Sequence, residues 1–146
     1  MLTTLLSASL LVAVTVVVHV AGIAVLLRRP VNLTSFAQRG TWAIAGLLLR
    51  LIWWLLLIHL AEIAIWALFY LWRGCLPDAE TAFYFSGVTY ATIGYGDVVL
   101  GEPWRLLAPV EGLIGILMCS LSAGYLFTVL SHIYQLRHHR SSNESL

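Results

Sequence analysis

Three apolar runs, each long enough to cross a bilayer as a helix, decide what this chain can fold into: residues 5–27, 51–72 and 106 to about 134. A helix needs about 20 apolar residues to span the hydrocarbon core. In lipid the backbone must satisfy its own hydrogen bonds, which leaves the helix as the natural form of such a run. Of the 146 residues, 60% are hydrophobic and only 10% charged. Soluble domains carry closer to a quarter of charged residues, so a soluble fold is excluded. The sequence therefore reads as an all-α integral membrane protein of one domain.

The first run is a retained transmembrane helix, residues 1–28, and not a signal peptide. It lacks a positive start, and its basic pair Arg28-Arg29 follows the apolar stretch. Residues 29–50 are expected to form a loop and an interfacial amphipathic helix, with the second crossing beginning at Leu51. A steep tilt of one longer helix is the alternative. Arginine placement sets the orientation. Arg28, Arg29 and Arg39 lie in the first loop and Arg137 and Arg140 in the tail, whereas Arg73 and Arg105 share their segment with four acids. The first loop and the tail, residues 136–146, are then cytoplasmic and the N-terminus is outside. The sequons at Asn32 and Asn143 fall on the wrong side for glycosylation. All eight basic residues are arginine, a bias that fits a bacterial inner (plasma) membrane protein. A net charge of +1 and the absence of a basic run exclude nucleic acid as a partner. The two cysteines have no metal-binding spacing.

Between the second and third spans, Pro77-Asp78 marks a helix start with Asp78 as N-cap. The apolar turns over 79–91 are too short to cross, and Thr92-Ile93-Gly94-Tyr95-Gly96-Asp97 follows them. Irregular backbone at membrane depth is tolerated only where it is buried in protein or lines water. This stretch should line an aqueous path.

The residues Thr92-Ile93-Gly94-Tyr95-Gly96-Asp97 resemble the selectivity filter of tetrameric potassium channels, with Ile where Val is commoner. Outer helix, pore helix (79–91), filter (92–97) and inner helix (106–135) match that family in order over residues 51–135. The resemblance implies a homotetrameric pore in the lipid bilayer, with the first helix an addition to the two-helix pattern. Its function would be passive potassium conduction, with K+ held by oxygens of Thr92, Ile93, Gly94 and Tyr95. The Gly94 and Gly96 dihedrals would let successive carbonyls face one way. The Ile93 and Tyr95 side chains would point away and pack against the pore helix. No cofactor is implied beyond the permeant ion, and no enzyme chemistry.

Filter support falls to Tyr84, Phe85 and Val88. Tyr84 and Phe85 stand where many relatives carry two tryptophans, and Val88 where one subgroup carries a glutamate. Tyr84 retains a hydroxyl for Asp97; Phe85 can only pack. On the inner helix, Ile116, Cys119, Ala123, Phe127 and Ser131 form the expected cavity face, and Gly115 is either a hinge or a close-packing site. Intramembrane ionisable groups are costly and face protein or water. His59, Glu62 and Glu111 accordingly read as a brace behind the filter, a proton sensor or a metal site, and His19, alone in the first span, as a satisfied packing histidine. No helix carries the arginine repeat of a voltage sensor. Two rival functions remain: a potassium transporter subunit, and a non-conducting accessory or sensor protein with a channel-like fold.

Overall fold

The computed structural model describes residues 2–28 and 40–143. It contains α1 (Leu2–Arg28), α2 (Thr41–Trp72), α3 (Ala79–Tyr90) and α4 (Leu107–Asn143). Among the described residues there is no strand, and three helices, α1, α2 and α4, are long and apolar enough to cross a membrane. At about 1.5 Å per residue α3 covers only about 18 Å.

α2 differs from the expected division at residue 50. It is a single helix of 32 residues, about 48 Å long by the same rise. The buried stripe Ile44, Leu47, Leu51, Leu55, Ile58 and Glu62 keeps its three-to-four spacing straight through Arg50, and no proline interrupts it. Nothing there would make the chain turn. The helix outruns a hydrocarbon core of about 30 Å, so it tilts or projects at one end. α4 likewise continues past the expected end at 135 to Asn143, because residues 136–143 contain neither Gly nor Pro. The rest of the first loop, with Arg29 and Arg39, lies outside the described residues.

Polar contacts fix the helix directions. α1 runs antiparallel to α2: Trp66 donates to the Thr15 hydroxyl at 3.0 Å, His19 meets Glu62 at 2.9 Å, and Trp54 donates to the Gly22 carbonyl at 3.1 Å. α2 runs antiparallel to α4 in turn, since Tyr70 meets Glu111 and His59 meets Ser122. The main core lies where α2, α3 and α4 converge, around Trp66, Tyr70, Phe85, Tyr90, Leu107 and Met118. A smaller cluster at the opposite end joins Leu26, Leu47, Leu51 and Ile133. Large apolar side chains such as Val17, Leu57 and Leu113 remain uncovered, which carries no penalty where the surroundings are hydrocarbon.

Candidate functional site

The site begins at the N-cap of α3. Asp78 accepts the Thr81 amide at 2.8 Å, as its position before the helix implies, and also the Thr81 hydroxyl at 3.0 Å. These bonds hold its carboxyl below the usual carboxylate range. The helix ends at Ala91, and the backbone then changes character. Positive φ angles alternate along it: 58° at Thr92, 57° at Gly94 and 78° at Gly96. Thr92 is a β-branched residue in the left-handed region, a strained conformation that persists only where surroundings enforce it.

The amides of Ile93 and Gly94 both turn back to the Val88 carbonyl, at 2.9 and 3.3 Å. In a trans peptide the C=O points opposite to the N–H. The carbonyls of Thr92 and Ile93 are therefore directed the same way, away from α3. All residues from Ala91 to Asp97 are exposed on the single chain. A row of aligned carbonyl oxygens on an open face can coordinate a cation, but only partly encloses it.

Tyr84 donates its hydroxyl to Asp97 at 2.6 Å, tying the far end of this segment to α3. That bond holds the Asp97 carboxyl below its ordinary range. Phe85 is buried edge-on against Tyr70, with ring centroids 5.4 Å apart. Ile93 and Tyr95 are 55% and 69% exposed on the single chain, so the expected packing against α3 is at most partial there.

A sign follows for Asp97. Its depressed pKa means that the tether stabilises above the ordinary carboxylate pKa and is lost as pH falls through the lowered one. Tyr84→Phe removes the cause of the depression. External acid should then disrupt ion flux at a higher pH than in wild type, as read from flux against external pH.

The model of the ion channel family matches residues 53–132, more than half of the chain. The chain belongs to this ion channel family. No curated protein and no solved structure matches it. The matched region of the channel takes in most of α2, all of α3, the 92–97 segment and most of α4, leaving α1 outside.

Behind the segment, the two buried acids of the channel have separate partners. Glu111 accepts from Tyr70 at 2.6 Å and from Ser86 on α3 at 2.5 Å, and Ser86 also reaches the Ile63 carbonyl at 2.9 Å. Glu62 instead accepts from Tyr90 at the end of α3 and contacts His19 and His59. Each acid thus holds α3 through a side chain, not through its backbone. The sequence grouping of His59, Glu62 and Glu111 is accordingly redrawn, with Glu111 out and His19 in. His19 is fully buried, with Glu62 and Ser122 as partners. Within α1, Thr4, Thr15 and His19 recur at helical spacing on one buried face, but the identity of the partner, 43 residues away, is not written there.

Gly115 packs against the end of α3, where a Cβ would sit 2.2 Å from the Tyr90 carbonyl oxygen. Close approach is a sufficient reason for glycine here. Ile116, Cys119, Ala123 and Phe127 are all exposed on α4 of the single chain, and Ser131 is half-buried.

Proposed function

We propose that this channel is potassium-selective and homotetrameric, with residues 92–97 of four chains forming its filter. The observation that carries the reading is the alternation of positive φ at Thr92, Gly94 and Gly96, with the Ile93 and Gly94 amides turned to Val88. That backbone sends successive carbonyls to one side, and rings of carbonyls replace the hydration shell of potassium. One chain supplies one such loop, and a closed ring needs further copies. Exposure of the whole segment, with Ile93 and Tyr95 turned outward, fits neighbours on both sides.

In this reading Thr92, Ile93, Gly94 and Tyr95 hold K+, and Tyr84, Phe85 and Val88 support them. The exposed face of α4 with Ile116, Cys119, Ala123 and Phe127 lines the cavity. The N-terminus is outside and the C-terminus cytoplasmic, by the arginine distribution. A transporter subunit is disfavoured, since related transporters join four degenerate, single-glycine loops in one chain and this chain has one complete Thr-Ile-Gly-Tyr-Gly.

The deciding experiment is flux into liposomes containing the purified protein. Potassium should enter far faster than sodium; no flux in either salt would favour the accessory reading, and equal flux would refute selectivity. The cavity assignment has its own check. A small membrane-impermeant thiol reagent applied from the cytoplasmic side should reduce current in a Cys75→Ser channel, through Cys119. Full current after verified modification would place Cys119 elsewhere.

A further inference from the structure

We propose that His19, His59 and Glu62 form a binding site for a divalent transition-metal cation of the zinc class, one per chain. The three residues bring their ligand atoms within 4.8 Å of one another. Nδ1 of His19 lies 2.9 Å from one Glu62 oxygen, and Nδ1 of His59 lies 3.3 Å from the other. In a tetrahedral site with metal–ligand distances of about 2.0–2.1 Å, neighbouring ligand atoms are about 3.3 Å apart. Each histidine already stands near that spacing from one oxygen of the carboxylate, and all three donors lie within 4.8 Å.

The orientation of both rings is the second observation. Each imidazole presents Nδ1 to the Glu62 carboxylate and Nε2 to the Ser122 hydroxyl, at 3.4 Å from His19 and 3.1 Å from His59. The Tyr90 hydroxyl closes the ring, donating to Glu62 and lying 2.9 Å from His59 Nδ1. Counting hydrogens exposes a deficit. The ring has five contacts: Glu62 to His19, His19 to Ser122, Ser122 to His59, His59 to Tyr90, and Tyr90 to Glu62. An ionised Glu62, two neutral imidazoles, one serine and one tyrosine supply four hydrogens between them. One positive charge is missing.

A metal ion supplies it and replaces the contacts of the two Nδ1 atoms with coordination. With both Nδ1 lone pairs and one Glu62 oxygen on the metal, both histidines take the Nε2–H form and donate to Ser122. Tyr90 then donates to the carboxylate. This is the outer support that metal-bound histidines and carboxylates ordinarily receive. Two imidazoles and one carboxylate suit zinc, cobalt, nickel or copper, and are too few oxygens for calcium or magnesium. Three protein ligands leave a fourth position open. The side chain of His59 is 16% accessible, while His19 and Glu62 are fully buried.

An occupied site would clamp α1 to α2 and, through Tyr90, to the residue just before the cap of α3. It gives the helix outside the family match a role beside the pore. The site depends on no assumption about potassium, because binding is read without conduction.

The test uses tag-free, full-length protein in detergent, stripped with chelator and titrated with Co2+ alone, then with Zn2+ in competition. The expected result is one Co2+ per chain with the visible absorption of a tetrahedral site, displaced by Zn2+. His19→Ala should abolish that absorption; Glu62→Gln, which keeps the shape of the ring, serves if the first variant fails to assemble. Tyr90→Phe and Ser122→Ala should weaken binding roughly ten- to a hundredfold. His132→Ala, an exposed histidine of α4, should change nothing. Absence of cobalt binding by assembled wild-type protein would overturn the proposal and leave a fifth proton to close the ring. Undiminished binding in both the His19 and Glu62 variants would overturn it equally.

Discussion

Gly96→Ala should abolish potassium flux while leaving the oligomer assembled. The cause is dihedral, not steric: a Cβ at Gly96 meets nothing within 4 Å, but φ is +78°. An L-residue in the left-handed region costs about 1–2 kcal/mol, which over the four chains of the proposed ring would amount to about 4–8 kcal/mol. The chain can escape this by flipping the Tyr95–Gly96 peptide, which returns φ to negative values. That flip carries the Tyr95 carbonyl out of the row begun by Thr92 and Ile93. Assembly should survive because the buried core that folds each chain does not involve residue 96. Flux assays in potassium and sodium, beside size-exclusion chromatography, measure both halves. Retained potassium-over-sodium selectivity in this variant would remove residue 96 from the filter.

Thr92 sharpens the argument, since it already bears the strain that glycine avoids two and four residues later. Its amide bonds to the Thr89 carbonyl at 2.9 Å, and the next two amides share Val88. Those bonds hold the left-handed turn at the end of α3. Gly94 is held by a longer bond, 3.3 Å, and Gly96 lies further still along the chain from the helix. Glycine is used where the backbone is least supported.

The sequence carried the local chemistry well, and the reason is physical. Asp78 caps α3 because an aspartate before an apolar run accepts the amide three residues on, a bond that needs no tertiary information. Tyr84 reaches Asp97 because a short helix followed by a tight segment brings them together within 13 residues. What escaped was rotation of one helix against another. Thr4, Thr15 and His19 share one face of α1, which marks that face as the packed one, but nothing along α1 says that its partner is Glu62. The same holds for Glu62 and Glu111. Similar depth in the membrane suggested one group, whereas helix phase sends one to Tyr90 and the other to Ser86. The boundary placed at Arg50 failed for another reason. Residues 41–72 are too long for one perpendicular crossing, which suggested a break or a tilt, but the stripe through Leu47, Leu51 and Leu55 stays buried without interruption.

Gly115→Ala should destabilise the assembled channel and abolish flux. The two readings of this glycine predict opposite signs. If Gly115 were only a hinge in an open helix, alanine would stabilise α4 by about 0.4–1 kcal/mol through the unfolded state and would alter gating alone. The contact geometry opposes that outcome. A Cβ at residue 115 lies 2.2 Å from the Tyr90 carbonyl oxygen, 3.0 Å from its carbon and 3.2 Å from its Cα. Ordinary carbon–oxygen contacts are about 3.3–3.6 Å, so the end of α3 must retreat by about 1 Å or more. The obstacle is backbone, which cannot swing aside as a side chain can. Overpacking of this kind costs about 1–3 kcal/mol, occasionally more. The displacement falls on Tyr90, whose hydroxyl is bound to Glu62 and whose chain enters the strained turn at Thr92 two residues later. Small retreats at residue 90 therefore move the carbonyl row directly. Thermal melting of the purified oligomer together with liposome flux separates the readings: a lowered melting temperature with lost flux supports packing, whereas an unchanged or raised one with altered open probability would restore the hinge.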